Sequence, residues 1–313
     1  MKNLLARIPW FNKNNNGSLL AGIYIASDKV VSVILHRVSD SFEIKHTVVE
    51  AFKSETEKLP AFNRVLEKLP AGAQVCLVMP ESAYQWVQIE KPNLPEQDIV
   101  TSLPWTIKEL VSLEPSDIIA DYYDASLKQG GQNKINVVVT SRTLLMPMLK
   151  LINDSDVDLH SITTPEMMYC DLVTQDNAAH MLVSQQFGNE PSIHIIRDGE
   201  LLLSRKLRGL IPLAEQPLNQ LKLGLLDALG LELQRSLDYF ESQLKQPPIK
   251  SLQLAIPNFE INGIAQELSQ FFPAKVLAFE PRLALCLQQN TEVQLAISAA
   301  LSLNVRGDNE DSH

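Results

Sequence analysis

Residues 20–50 read LAGIYIASDKVVSVILHRVSDSFEIKHTVVE, and residues 181–207 read MLVSQQFGNEPSIHIIRDGELLLSRKL. Each stretch splits into three short β-rich runs separated by turn residues. In the first, Val30, Val31, Val33 and Ile34 supply the branched side chains that suit a pleated strand, and Ser27-Asp28 and Ser39-Asp40 supply the turns. In the second, runs at 181–184, 193–196 and 201–207 surround Asp198-Gly199, a strong two-residue hairpin signal. The chain is thus expected to open each of two halves with a three-strand meander.

Working outward, Phe62, Val65, Leu66 and Leu69 have helical spacing ended by Pro70 and Gly72, and a buried-looking strand follows at 75–79. From 84 to 124 the register changes. A strand at 86–89, a Pro-flanked linker at 91–95, a helix from about Glu96 that Pro104 should kink or split, and a strand at 118–123 form an insertion of about 81–135. Val137 to Val139 is expected to return to the core sheet, ahead of a helix carrying Leu144, Leu145, Met148, Leu149 and Ile152. In the second half a helix with Leu226, Leu229, Leu233, Leu237, Phe240 and Leu244 runs to Pro247-Pro248. A strand at 252–256, a helix at 261–272, a strand at 276–279 and an Ala-rich helix at 293–303 complete it. A meander followed by alternating helices and strands, given twice, resembles the ribonuclease H-like plan duplicated in actin-like proteins. The expected fold is α/β and actin-like, with an arm at 1–19, halves at 20–177 and 178–304, and an acidic tail at 305–313.

Composition narrows the function classes. The 313 residues are 45% hydrophobic and 20% charged, which suits a folded globular chain. A net charge of −10 repels a phosphate backbone, so nucleic acid is not an expected partner. Cys76, Cys170 and Cys286 are far apart and odd in number, which argues against a disulfide framework or zinc ribbon. The N-terminal residues lack the apolar run of a signal peptide, and no stretch of about 18 apolar residues marks a membrane span, so a cytoplasmic location is expected. The arm holds Lys2, Arg7 and Lys13 beside Leu4, Leu5, Ile8, Trp10 and Phe11. It reads as a mobile tether, with contact to an anionic membrane surface as the alternative.

Proteins of the actin-like plan hold ATP between their halves, with an acid and a glycine at the end of each half's first strand to order magnesium and admit phosphate. In GIYIAS (22–27) Tyr24 stands at the acid position and Ala26 at the glycine position. In LVSQQFG (182–188) Ser184 and Gln186 stand there. Five stretches make the resemblance more specific: AGIYIASDKVVSVIL (21–35), VQIEKPNLPEQDIVTSLPW (87–105), VVVTSRTLLMPMLKLI (137–152), LELQRSLDYFESQL (231–244) and LAISAALSLNVR (295–306). On these the chain is similar to the PilM family, the cytoplasmic actin-like component of type IV pilus machines, and within it to the branch serving the mannose-sensitive haemagglutinin (MSHA) pilus. The GspL cytoplasmic domain of type II secretion is a more distant relative.

The departures from that family bear on mechanism. ATP-binding members carry a glycine run after the strand that follows the LELQRSLDYF helix, whereas this chain has Ala255, Ile256 and Pro257. The family's second inserted subdomain has no room within 208–230. The expectation is a pseudo-ATPase scaffold that needs no cofactor or metal. The alternative is a nucleotide hydrolase or kinase using non-standard residues. Asp154, Asp156 and Asp158 fail as a calcium loop, because Leu159 and Pro165 stand where glycine and glutamate are required. They read as a polar turn. His160 and His194 sit in apolar surroundings and suit core or surface roles better than a metal site, and Cys76 reads as buried packing.

The resemblance also implies a partner. In the family, the cytoplasmic N-terminal segment of a single-pass inner-membrane protein, PilN-like, docks between the first half's core and the insertion, and the assembly ATPase is a further possible partner. Trp86, Leu94, Ile99, Leu103 and Trp105 are the candidate anchors. For the tryptophans, packing within the insertion's own core remains the other reading.

Overall fold

The computed structural model describes residues 19–39, 41–127 and 133–304; residues 1–18 of the arm and the tail at 305–313 lie outside them. The chain divides into two compact units, residues 1–168 with 292–313, and residues 169–291.

In unit 1, strands β1 (Leu19–Ile25), β2 (Lys29–Val38) and β3 (Ser41–Ala51) form the expected meander. Helix α1 (Glu55–Leu66) and strand β4 (Gln74–Val78) follow. Next come β5 (Tyr84–Glu90), α2 (Glu96–Thr106), β6 (Ile118–Asp124) and β7 (Lys134–Ser141), then α3 (Arg142–Asn153), β8 (Asp158–Thr163) and α4 (Pro165–Leu172). The core sheet has the order β3-β2-β1-β4-β8, with β1 antiparallel to β2 and parallel to β4. A second sheet has the order β5-β7-β6. Strand β7 therefore corrects the sequence reading: Val137 to Val139 belong to the inserted sheet, and β8 completes the core sheet. The polar turn expected around Asp154 to Asp158 is present at 154–156, with Asp154 capping α3, and Asp158 is already the first residue of β8. Pro104 does not split α2, which runs continuously from Glu96 to Thr106, although the proline removes the amide that would bond the Val100 carbonyl.

Unit 2 repeats the plan. Strands β9 (His180–Ser184), β10 (Ser192–Arg197) and β11 (Glu200–Lys206) form the meander. Asp198 (φ 50°) and Gly199 (φ 76°) make the left-handed pair that a tight hairpin needs. A 3-10 turn (Ile211–Ala214), α5 (Leu218–Leu221), α6 (Leu225–Asp238), β12 (Ser251–Ala255), α7 (Ile261–Leu268) and β13 (Lys275–Ala278) follow. The long helix expected to reach Leu244 is α6 extended by a π-helical turn (Tyr239–Gln243). The sheet order β11-β10-β9-β12-β13 reproduces that of unit 1 strand for strand.

Helix α8 (Thr291–Ser302) was expected to belong to the second half, but from Glu292 onward it lies in unit 1. A β-carbon on Gly22 of β1 would stand 1.8 Å from the Ala296 carbonyl oxygen, so helix and strand touch backbone to backbone. The other face of β1 buries Ala21, Ile23 and Ile25 with Phe62 and Val65 of α1 and Leu145, Met148 and Leu149 of α3.

At the N-terminal ends of the parallel strands in unit 2, Asp176 accepts from His180 Nε2 (3.0 Å), from Lys250 Nζ (2.6 Å) and from the Ala178 amide (2.9 Å). His180 Nδ1 lies 2.8 Å from Ser251 Oγ, which also accepts from Gln253 Nε2 at 3.2 Å. The line has the partners of a nucleophile triad, but Ser251 is enclosed in the sheet. Its role is a clasp joining β9 to β12. Lys250, then His180 and the Ala178 amide, hold the Asp176 carboxyl well below its ordinary value.

Two outcomes follow from these contacts. Gly22→Ala forces α8 off β1 and should cost about 3 kcal/mol, read as a lowered denaturant midpoint with an unchanged slope. Asp176 is depressed in the folded state, so its contribution is present above its unfolded pKa and is lost as pH falls through the folded one. Asp176→Asn should therefore flatten the fall of melting temperature between about pH 4 and pH 2 relative to the parent.

Candidate functional site

The residues at the two first-strand ends are packed into the protein. Tyr24 and Ala26 are buried at the end of β1. Side chains alternate along a strand, so Tyr24 faces the same side as Gly22, the side covered by α8. In unit 2, Ser184 Oγ is bonded to His194 Nε2 (2.8 Å), and His194 Nδ1 to Ser204 Oγ (3.0 Å). The Tyr169 ring stacks on that imidazole at 5.7 Å. Burial pushes the His194 pKa down to about 3, so a neutral ring is held between two hydroxyls. The position where a carboxylate would order magnesium carries no charge.

Beside β9 and β12 the chain covers its own strand ends. Gln185 Nε2 donates to the Asn189 and Ile211 carbonyls, both at 2.9 Å. Asn258 Nδ2 donates to the Leu213 (2.8 Å) and Gln216 (2.9 Å) carbonyls. The Glu190 carboxylate accepts from the Gly209 (2.7 Å) and Leu210 (2.8 Å) amides, and Glu260 accepts from the Leu218 amide (2.7 Å). The segment 209–218 is thereby tied to the loops after both strands, where α/β sheets ordinarily receive a ligand. Ala255 and Ile256 are buried, Pro257 is half-buried, and Gln186 is half-buried at the neighbouring turn. Sequence reasoning named those positions and missed Gln185 and Asn258, which do the tying. Their only signal was an amide next to each strand end.

Sequence reasoning looked for a carboxylate only at the ends of the two first strands, β1 in unit 1 and β9 in unit 2. The structure places one elsewhere. Glu166, in the first turn of α4, is buried and accepts from the Tyr84 hydroxyl at 2.7 Å. Burial raises its pKa, against the Tyr84 and Thr164 hydroxyls and the Trp86 indole, which favour the ionised form. Burial, followed by the Glu166 and Glu81 charges, raises the Tyr84 pKa well above its ordinary value. Among the described residues no group of three His, Cys, Asp or Glu side chains is placed to hold a metal ion.

The five candidate anchors separate into two sets. Ile99 and Leu103 are both at 0% exposure in a core with Ile107, Ile118, Tyr122, Ile135 and Val137, so as partner anchors they are withdrawn: no surface remains to contact. Trp86 is half-buried on the opposite face of the inserted sheet, edge-on to Tyr84 (6.4 Å) and Tyr123 (5.4 Å), and packs against the core of unit 1. Leu94 and Trp105 are open to solvent, at 46% and 69%. Leu94 lies in the linker before α2, and Trp105 in the last turn of the helix, on the side away from the buried Ile99 and Leu103.

No family model matches the sequence, and no curated protein matches it. Among solved structures, the chain is similar to one from a PilM-PilN type IV pilus biogenesis complex, at 14% identity and a TM-score of 0.66, over 92% of this chain and 98% of that one. It is also similar to the cytoplasmic domain of EpsL, an inner membrane component of the type II secretion system of Vibrio cholerae, at 14% identity and a TM-score of 0.55, over 91% and 95%. A Bacteroides thetaiotaomicron protein with an actin-like ATPase fold and unknown function matches at 11% identity and a TM-score of 0.52, over 89% and 95%. Together with the repeated sheet order, these likenesses show that the fold is actin-like.

Proposed function

We propose that this chain is a scaffold of a type IV pilus assembly machine, of the MshI kind that serves the MSHA pilus. It works at the cytoplasmic face of the inner membrane, where it binds the N-terminal segment of a PilN-like single-pass protein through the inserted sheet and α2, and turns over no nucleotide. The observation that carries the reading is the exposure of Leu94 and Trp105 on an insertion whose own core is complete without them. The likeness to a chain from a PilM-PilN complex supports the class of partner, and the segment tied across the β9 and β12 ends supports the loss of nucleotide. Membrane recruitment comes from that partner, with the arm at 1–19 as a further peripheral contact, and the assembly ATPase is a second partner. Among the described residues no helix is long and apolar enough to cross a membrane.

The EpsL likeness favours a second reading, an adaptor of type II secretion. Capture by immobilised N-terminal segments from the pilus protein and from its secretion counterpart separates the two.

Trp105→Ala should weaken binding of the PilN-like segment by about 2 kcal/mol, close to 30-fold, and shift the melting point little, since the residue is exposed. Leu103→Ala should instead destabilise the fold by about 2 to 5 kcal/mol. Unchanged affinity in Trp105→Ala would remove α2 from the interface. Millimolar ATP with magnesium should leave the melting temperature where it was, whereas a site filled to 100 times its dissociation constant adds about 2.7 kcal/mol. A saturable shift would restore the nucleotide-binding alternative.

A further inference from the structure

Besides the packing of Trp86, two sets of side-chain hydrogen bonds among the described residues tie the inserted sheet to its neighbours in unit 1, and they differ in kind. Where the chain leaves the insertion, Asp117 accepts from Ser141 Oγ (2.6 Å), the Thr143 amide (2.9 Å) and Thr143 Oγ1 (2.8 Å), tying β6 to the exposed N-terminus of α3. Where the chain leads in, Tyr84, the first residue of β5, reaches the buried Glu166 on α4. Its neighbour Ala83 is held by Thr140 Oγ1 at 2.6 Å, so the start of β5 and the end of β7 form one rigid corner.

Helix α4 is only eight residues long, too short to hold itself without outside contacts. Its first turn rests on Glu166, and its middle accepts Ser298 Oγ of α8 at the Met168 carbonyl (3.2 Å). The division between the two units falls inside it, at residues 168 and 169. A buried carboxyl at that point costs more than an apolar contact of the same size. What it supplies in return is direction, because a hydrogen bond fixes the angle and distance between two elements as an apolar contact does not.

We propose that the Tyr84–Glu166 hydrogen bond couples the inserted sheet to α4, so that a change in the seating of β5 is passed to the first turn of the helix carrying the chain out of unit 1. The coupling lies within unit 1 and does not depend on what the inserted sheet binds. Hydrogen–deuterium exchange on the full chain tests it, with Tyr84→Phe, Glu166→Gln, the double variant and Asp117→Asn. Tyr84→Phe should speed exchange at least tenfold in both β5 and α4, although it removes one hydroxyl from β5 alone. Glu166→Gln should raise the same two segments, the double variant should add little to either single one, and Asp117→Asn should affect β6 and α3 only. Faster exchange confined to β5 in Tyr84→Phe, or a double variant equal to the product of the singles, would overturn the proposal. Should Glu166→Gln fail to fold, Tyr84→Phe decides alone, since its ring and volume are retained.

Discussion

The backbone contact between Gly22 and Ala296 is the constraint from which the rest of unit 1 is built. Strand β1 is the middle strand of its sheet, and a helix lying directly on it needs a position with no side chain at the crossing. Gly22 supplies that position. Small residues of α8, Ala296, Ala299 and Ala300, supply the matching surface on the helix, and all three are fully buried. The close approach also decides the fate of Tyr24, two residues along on the same face, whose ring is enclosed. The end of β1 is part of a packed layer.

Unit 2 reaches a similar end by polar means. Gln185, Asn258, Glu190 and Glu260 together bind seven backbone groups of the segment 209–218. Each bond contributes only about 0.5 to 1.5 kcal/mol net, but breaking one without replacement exposes a buried group to a penalty of about 1 to 3 kcal/mol. The cover is therefore hard to lift piecemeal. The buried Ser184–His194–Ser204 chain of unit 2 adds hydrogen bonds without net charge, as a buried site with no counter-ion requires.

Both meanders were legible in the sequence because branched residues and turn pairs act locally, and the Asp198-Gly199 turn has the backbone that its residues demand. What escaped depended on long-range pairing. The run Val137 to Val139 is apolar on both faces and gives no sign of which sheet it joins. Strand β8 was hidden by the acids before it, and α4 by a length that gives no periodic signal. At the insertion, the four-residue spacing of Ile99, Leu103 and Ile107 already marked an inward face, yet the aromatic Trp105 drew equal weight. Glu166 and Asn258 could not be found from spacing, because their partners lie 82 and 45 residues away.

Unit 1 is discontinuous, since its last helix comes after the whole of unit 2. On the ribosome, β1 emerges with its α8 face uncovered and must wait for about 270 residues of further synthesis, on the order of 15 to 50 s at bacterial and eukaryotic elongation rates. Unit 2 is continuous in sequence and is free to fold first. Order of synthesis and order of completion are thus reversed in this chain, and the apolar face around Gly22 is the surface a chaperone would meet during the interval.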